Sequence, residues 1–219
     1  MNQTTRILHV YEHCPFCVKA MMIFGLKNIP FEKRIFLNDD EAGPISMVGR
    51  KVVPILEENG RYMPESMDIV SHIDGVGAPV LNGPVRKDIA DWLRASSKAT
   101  YRLFLPRAVC APLPEFATTS SRAGFIRRKE ESTGPFWEIL ADGSKEIAEL
   151  NALLEELEPL IQSPEAVNGT LSTDDIHLFA QLHSMSLIKG QPYPPWFEHY
   201  RKHLSEQSSV SPLHVSAAF

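Results

Sequence analysis

Short apolar runs and helical stretches alternate over the first part of the chain in the order strand, helix, strand. Residues 6–11 predict a buried strand, and residues 15–27 predict a helix that ends near Asn28, with Pro30 beyond it. Residues 31–36 predict a second strand. The three elements form a βαβ unit, whose two strands we expect to be parallel because a helical crossover joins them.

The next stretch predicts two more strands and a helix. Residues 53–56 and 61–63 predict short strands on either side of a turn over residues 57–60, and residues 66–76 predict a helix. A short helical turn is expected over residues 45–48. A βαβ unit followed by two strands and a helix is the order of a thioredoxin-like layer of sheet and helices.

The pattern changes after a segment rich in glycine and proline. Residues 77–84 predict a linker, and beyond it apolar residues recur at helical spacing without a strand pattern. Helices are expected over about 134–140 and 144–161, and Pro106, Pro112 and Pro114 bracket a break before them. The predicted fold class is therefore α/β plus all-α, with a thioredoxin-like domain over residues 1–76 and an all-helical domain over residues 85–219.

One helix start in the second half is marked by its own residues. Ser172 and Asp175 have the spacing of a capping box, and Leu171 and Ile176 occupy the positions of a hydrophobic staple. We expect this group to act in folding and to have no direct part in chemistry.

Composition narrows the partners and the compartment. The 219 residues are 43% hydrophobic, but no apolar run is long enough to span a membrane. A net charge of −5 without a basic cluster argues against nucleic acid. The polar N-terminus lacks the apolar stretch of a signal peptide, and three cysteines do not form a disulfide framework. We therefore expect a cytoplasmic protein with no membrane partner.

The strongest chemical motif is Cys14-Pro15-Phe16-Cys17, which lies where the first strand meets the first helix. A C-x-x-C at such a junction indicates a dithiol redox site. The helix N-terminus directs backbone N–H groups and partial positive charge at the first sulfur, which favours the nucleophilic thiolate. Pro15 fits the first helical position, where its missing N–H costs nothing.

Other interpretations of the cysteines and their neighbours stay open. One alternative is that the pair forms half of a structural zinc site, although no second ligand pair follows at finger spacing. Another is that the two cysteines are inert buried thiols. Cys110 is expected in the core. His13 either stabilises the thiolate as a cation or is a solvated loop residue, and we favour the second interpretation. Lys19 is expected on a solvated face. Phe16 offers an apolar surface to a substrate.

Two further spots are candidates for ligand binding. Pro54 precedes a strand, where a cis peptide would turn the backbone of Val53 outward to pair with an extended peptide. The alternative is a trans proline that opens an edge strand. Ser66 is a candidate N-cap whose helix start also offers N–H groups to a carboxylate, and Glu65 is a candidate partner for an ammonium group.

These motifs together resemble a known family. The Cys14–Cys17 motif resembles the glutaredoxin active site, whose usual third residue is tyrosine. Residues 53–56 and 64–66 resemble the glutathione-binding motifs of the glutathione transferase fold, and the linker, the helical second half and the Ser172/Asp175 pair resemble its C-terminal domain. The bacterial two-domain glutaredoxins combine all of these features. Residues 22–30, 62–70 and 166–169 are similar to them in detail.

The resemblance implies a role for each site residue. Cys14 would be the nucleophile and Cys17 the resolving thiol. Val53, beside a cis Pro54, would hold the glutathione backbone, and Glu65 and Ser66 would bind its γ-glutamyl end. Phe16 in place of tyrosine puts any role for a hydroxyl at that position in doubt.

The implied activity is that of a glutathione-dependent thiol–disulfide oxidoreductase. Glutathione would supply the electrons, glutathionylated or disulfide-containing proteins would be the partners, and no metal is expected. Two alternatives are a conjugating glutathione transferase and an iron–sulfur carrier whose cluster is held by Cys14 of two subunits and two glutathiones. A non-catalytic binding module is the last alternative, for which a reactive dithiol would be a poor choice.

Overall fold

A four-stranded mixed sheet with three helices forms the N-terminal part of the computed structural model, which describes residues 5–188 and 193–213. The polar N-terminal residues 1–4 and the C-terminal residues 214–219 lie outside the described residues. The strands are β1 (Arg6–Val10), β2 (Glu32–Ile35), β3 (Ile55–Glu58) and β4 (Arg61–Pro64). The helices are α1 (Pro15–Leu26), α2 (Ala42–Val48) and α3 (Ser66–Asp74). We call this unit, β1 to α3, the sheet domain.

The strand order is β2-β1-β3-β4, with β1 and β2 parallel and β3 antiparallel to both of its neighbours. This confirms the predicted βαβ unit and the hairpin that follows it. Glu57 and Glu58 belong to β3, however, and not to the turn. Both carboxylates have partners on neighbouring elements, since Glu57 contacts His9 and Glu58 contacts Arg6. The turn itself consists of Asn59 and Gly60, both with positive φ.

Six α-helices form most of the remaining part of the described chain, which has no strand after β4. We call α4 to α9 the helical domain. Its members are α4 (Lys87–Cys110), α5 (Thr119–Thr133), α6 (Phe136–Ala141), α7 (Ser144–Leu157), α8 (Thr173–Ser184) and α9 (Pro195–Ser208). This confirms the two-part fold class. The domain limits 1–76 and 85–219 and the linker 77–84 stay predictions.

The expected break lies after Cys110, within the stretch bracketed by Pro106 and Pro114, but Pro106 itself does not end a helix. That proline lies inside α4, which continues to Cys110 because the flanking residues Leu103 and Ala108 are fully buried and hold the helix in place. Cys110 is exposed at the end of α4, so its expected place in the core is wrong. Helix α5 was not predicted, because its sequence is largely polar and little more than Phe125 anchors it in the core.

Helix α1 is buried between the two domains. It packs against α3 of its own domain and against α8 and α9 of the other. Seven of its twelve residues are buried, among them Met22 and Phe24, and they share one core cluster with Phe179 and Phe197. The N-terminus of α1 is therefore held at the junction of the domains.

The capping box is present at the start of α8. The Asp175 Oδ2 atom accepts hydrogen bonds from the Ser172 backbone N–H at 2.8 Å and from the Ser172 hydroxyl at 3.0 Å. Helices of membrane-spanning length and apolarity are absent from the described residues.

Candidate active site

Cys14 and Cys17 lie in the first turn of α1 but differ in access. Cys14 is the N-cap residue, Pro15 follows in the first helical turn, and Cys14 is partly buried. Cys17 is completely buried, and its sulfur accepts a hydrogen bond from the Tyr11 backbone N–H at 3.4 Å. A substrate that approaches from outside therefore meets Cys14 first.

The two thiols also differ in acidity. A hydrogen bond from the Cys17 thiol lowers the pKa of Cys14 to about 6, against burial, which raises it. The charge of His13 and two backbone N–H groups at the helix start lower this pKa further. Burial raises the pKa of Cys17 well above its ordinary value, and the hydrogen bond and charge of Cys14 raise it further. At neutral pH Cys14 is a thiolate and Cys17 a protonated thiol.

A cleft of about 430 Å³ opens beside Cys14, between the domains. Its sheet-domain wall consists of His13 to Phe16, and its helical-domain wall comes from α4 and α5. The helical-domain residues are Lys98, Tyr101, Arg102, Leu105, Lys129, Ser132 and Thr133. Burial and, less strongly, the Cys14 charge raise the pKa of Tyr101 to about 12, so that its phenol stays a hydrogen-bond donor.

Phe16 presents an apolar surface at this cleft, as predicted, with 50% of its side chain exposed. The Lys19 Nζ atom lies 4.9 Å from the centroid of the Phe16 ring, a cation–π contact. Lys19 is partly buried, and burial lowers its pKa. Lys19 is therefore less exposed than a residue on a solvated face.

His13 is buried, and the favoured interpretation as a solvated loop residue is wrong. Its Nδ1 atom lies 2.6 Å from Glu115 Oε1, and its backbone N–H donates to the same oxygen at 2.9 Å. Glu115 is completely buried between α4 and α5. Although burial raises the pKa of Glu115, the hydrogen bond and charge of His13 outweigh it and lower that pKa.

The peptide bond between Val53 and Pro54 is cis, as expected. Register places it close to the dithiol, because Ile55 pairs with His9 of β1 on one side and with Pro64 of β4 on the other. The end of β1, the start of β3 and the end of β4 thus lie at one end of the sheet. The loops that hold Cys14, Val53 and Glu65 all leave from this end.

Glu65 and Ser66 are arranged differently from the prediction. Glu65, with a φ of 70°, is the N-cap of α3, and Ser66 is the first helical residue. The predicted capping by the Ser66 side chain is therefore wrong. Glu65 is exposed and forms an ion pair with Arg50 at 2.6 Å, while Ser66 is buried. Neither residue belongs to the lining of the cleft that contains Lys98 and Tyr101, and Val53 does not belong to it either.

The sequence did not single out the residues that the helical domain contributes to the site. Lys98, Tyr101 and Lys129 reach the cleft from helices far from Cys14 in the chain. Glu115 had one detectable signal, since it is the only acidic residue between Leu103 and Phe116. An isolated acid in an apolar stretch is rarely buried unless it has a partner.

Fold and site together define a class of protein. A thioredoxin-like domain with a reactive dithiol at a helix N-terminus, joined to an all-helical domain of the glutathione transferase type, is the architecture of a two-domain thiol–disulfide oxidoreductase. Comparison with known proteins agrees at the level of domains. Residues 88–217 match the family "Glutaredoxin 2, C terminal domain", and residues 8–76 match "Glutathione S-transferase, N-terminal domain".

Individual relatives give a finer match. Glutaredoxin 2 of Escherichia coli K12 is 44% identical over 208 residues, which are 94% of this chain and 97% of that protein. The crystal structure of glutaredoxin 2 from Salmonella typhimurium in complex with glutathione has 45% identity and a TM-score of 0.93, covering 95% of this chain and 97% of that one. The chain belongs to the glutaredoxin 2 family of glutathione-dependent disulfide oxidoreductases.

A more distant structure shares the fold alone. The glutathione S-transferase CsGST63524 of Ceriporiopsis subvermispora, in complex with glutathione, is 15% identical with a TM-score of 0.73. It covers 94% of this chain and 98% of its own.

Proposed function

We propose that Cys14 is the nucleophile and Cys17 the resolving thiol of this enzyme, with glutathione as the reductant. The observation that carries the proposal is the contrast between the two sulfurs. Cys14 is accessible and acidic, whereas Cys17 is completely buried and its pKa is raised. Since the thiolate is the attacking species, the first step belongs to Cys14.

On a glutathionylated protein, the Cys14 thiolate attacks the glutathione sulfur. A Cys14–glutathione disulfide forms, the bond to the target sulfur breaks, and the target leaves as a thiolate that takes up a proton. The thiolate of a second glutathione then attacks the bound glutathione sulfur. This step releases Cys14 as a thiolate together with oxidised glutathione.

On a protein disulfide, Cys17 completes the reaction. Cys14 first forms a mixed disulfide with one substrate sulfur, and Cys17, after losing its proton, attacks the Cys14 sulfur. A Cys14–Cys17 disulfide forms and the substrate leaves reduced. The hydrogen bond and charge of Cys14, which raise the pKa of Cys17 in the free enzyme, disappear once Cys14 is in a mixed disulfide. Cys17 thereby becomes easier to deprotonate when its turn comes.

For glutathione itself, we propose a site at the end of the sheet that carries the dithiol. Val53, next to the cis Pro54, would pair with the peptide backbone of glutathione. The first turn of α3 at Ser66 would receive the γ-glutamyl carboxylate, and Glu65 would bind its ammonium group. Phe16 would cover the apolar part near the sulfur. The glutathione complex of the Salmonella relative supports this assignment of the ligand.

Protein substrates would enter the cleft on the other side of Cys14. Its two exposed cations, Lys98 and Lys129, form what we call the basic rim. Arg102, in the same cleft, is already paired with Glu146 at 3.0 Å. The basic rim favours substrates with acidic residues near the modified cysteine. We place the reaction in the cytoplasm, where thiols are kept reduced, and propose that it needs no metal.

The test is glutathione-coupled reduction of the mixed disulfide between β-mercaptoethanol and glutathione. Cys14→Ser should abolish turnover, because the remaining thiol of the pair, Cys17, is completely buried and its pKa is raised. Cys17→Ser should keep much of the rate, since this substrate needs one thiol only. Cys110→Ser, which removes an exposed thiol at the end of α4, is the matched control and should match the wild type.

Equal loss in the Cys14 and Cys17 variants would contradict this division of labour. An inactive wild type would contradict the proposed reaction. A brown colour with visible absorbance after anaerobic purification would contradict the absence of a metal and point to an iron–sulfur carrier.

A further inference from the structure

Glu115 of the helical domain contacts His13 of the sheet domain in two ways. It lies in a single 3₁₀ turn (Pro114–Phe116) and is completely buried. Its Oε1 atom accepts the backbone N–H of His13 at 2.9 Å and lies 2.6 Å from His13 Nδ1. Nearby, the Asn38 backbone N–H donates to the Glu115 carbonyl at 2.9 Å. Two loops of the sheet domain are thus attached to one acidic residue of the other domain.

This contact determines where the imidazole proton lies. The lowered pKa of Glu115 makes it a carboxylate at neutral pH, and a carboxylate only accepts hydrogen bonds. The Nδ1 atom of His13 therefore carries a hydrogen. Within residues 5–188 and 193–213, His13 is the one residue found to bond the Glu115 carboxylate. His13 and Glu115 thus have the geometry of a buried ion pair, with the imidazole Nδ1 atom 2.6 Å from the carboxylate.

Aromatic rings hold the imidazole in place. Tyr11 stacks on it with centroids 5.7 Å apart, and Phe116 and Phe125 lie at 4.9 and 5.1 Å. The ring cannot turn away from Glu115 without disturbing this packing. His13 also directly precedes Cys14 in the chain and lines the same cleft, and its charge lowers the pKa of Cys14.

We propose that Glu115 is a positioning residue of the helical domain, which holds His13 as an imidazolium beside Cys14 and thereby increases the fraction of Cys14 present as thiolate. This proposal rests on the proposed role of Cys14 as nucleophile. It gives the helical domain a part in the chemistry in addition to any part in docking substrates. In Glu115 variants the nucleophile would remain in place but would be less acidic.

Other titratable groups near His13 stay in place when Glu115 is replaced. Tyr11 stacks on the ring, and Asp40 after β2 and Arg128 on α5 act on Tyr11 through their charges. Cys14 at the start of α1 lines the same cleft as His13, together with Lys98, Tyr101 and Arg102 of α4 and Lys129 of α5, and Cys17 follows in the first turn of α1. Their contributions are common to the wild type and the variant. A difference between the two therefore reports the Glu115 charge and its effect on His13.

The test is the rate of Cys14 alkylation by iodoacetamide as a function of pH, in reduced protein that carries Cys110→Ser to silence the exposed thiol. Glu115→Gln keeps the size of the side chain and an oxygen that can accept from His13, but removes the charge. Its midpoint should lie about one pH unit above that of the Cys110→Ser parent, so that alkylation below both midpoints is roughly tenfold slower. Above both midpoints the two rates should converge, which a merely misfolded protein would not show.

Glu57→Gln is the matched control. Glu57 of β3 lies 3.1 Å from His9 of β1, the strand that leads to the site, and its carboxylate bonds His9 rather than His13. Its alkylation profile should coincide with that of the parent. Because the assay uses no glutathione, it gives an answer even if the proposed turnover reaction fails.

An unchanged midpoint in folded Glu115→Gln would overturn the proposal. If this variant does not fold, the ¹⁵N shifts of the His13 ring in the wild type at pH 6 decide instead. An imidazolium with its Nδ1 proton in a hydrogen bond supports the proposal. A neutral ring at that pH would overturn it, because no positive charge would then stand beside Cys14.

Discussion

Gly25 of α1 lies directly against the backbone carbonyl of Ser208, the last residue of α9. A Cβ atom added at Gly25 would overlap that carbonyl group, closer than any real contact allows. The two helices belong to different domains, and they meet here without a side chain between them. Because Cys14 is the N-cap of α1, this close approach contributes to the position of Cys14 relative to the helical domain.

Gly25→Ala should therefore destabilise the protein. In an unhindered helix the change would stabilise by up to about 1 kcal/mol, because alanine favours the helical state. Here the overlap is with backbone, which cannot rotate away, and we expect a net loss of about 1–3 kcal/mol. The measurement is the free energy of unfolding in urea.

Gly75→Ala is the control for that measurement. Gly75 ends α3 with a φ of −70°, and an added Cβ would meet its nearest neighbours at an ordinary 3.5 Å. It should change stability by far less. Equal effects of the two substitutions would contradict the close contact between α1 and α9.

Asp175 should be one of the most sensitive positions for stability. Its carboxylate accepts hydrogen bonds from Val167 N–H at 2.7 Å, from the Tyr200 hydroxyl at 2.7 Å, and from both the backbone and the hydroxyl of Ser172. Asp175→Ala would leave four buried donors without a partner, at a cost of at least about 3 kcal/mol.

Asp142→Ala is the matched control for Asp175. Asp142 is an exposed aspartate that accepts one backbone N–H, from Ser144 at 3.0 Å. Chemical denaturation gives the free energy of unfolding of both variants. A loss of unfolding free energy in Asp175→Ala no larger than that in Asp142→Ala would show that the hydrogen bonds to Asp175 are dispensable.

His183 should make the protein sensitive to acid. Burial lowers the pKa of its imidazole to about 4, whereas an unfolded histidine titrates near 6.5. Between these values the unfolded chain binds more protons than the folded one, so the free energy of unfolding falls as the pH falls from about 6.5 to 4. A single group with this shift accounts for a loss on the order of 2–3 kcal/mol.

His183→Gln should reduce that pH dependence while keeping a donor for the Ser211 carbonyl, which lies 2.9 Å from His183 Nε2. The useful measurement is the slope of unfolding free energy against pH, since the substitution also has a pH-independent cost. His199→Gln, at an exposed position on α9, should leave the slope as it is. If the unfolding free energy of His183→Gln depends on pH as steeply as that of the wild type, His183 is not the source of the acid sensitivity.

Local patterns were sufficient to predict the dithiol, the strands and the capping box. Each of these depends on residues close together in the chain, such as Ser172 and Asp175, or Cys14 and the helix that follows it. Where α4 ends within the stretch bracketed by Pro106 and Pro114 depends on the fold, because tertiary packing holds α4 together across a proline that would end an isolated helix.

The pairing of His13 with Glu115 could not be predicted from such patterns. The two residues are separated by 102 positions, and only the docking of the helical domain brings them together. The same holds for Lys98 and Lys129, which looked like ordinary surface residues until α4 and α5 were placed beside Cys14. The sequence therefore indicated the dithiol, while the groups around it depended on the fold.

The basic rim leads to a prediction about substrate choice. If Lys98 and Lys129 attract acidic residues of a substrate, the enzyme should prefer a glutathionylated peptide with aspartates beside the modified cysteine over one with lysines. Replacing both rim residues by glutamate should lower the ratio of kcat/KM between the acidic and the basic peptide by roughly tenfold or more. Added salt should shrink the preference of the wild type, because exposed charges are screened.

Arg127→Glu is the control for general charge effects. Arg127 is exposed on α5 next to this region but does not line the cleft. It should alter the peptide ratio much less than a single change at Lys129, even though both substitutions change the net charge by the same amount. A ratio that follows net charge alone, regardless of position, would mean that the cleft does not select its substrates by local contacts. A ratio that depends on Lys98 and Lys129 would place the substrate chain between α4, α5 and the Cys14 sulfur.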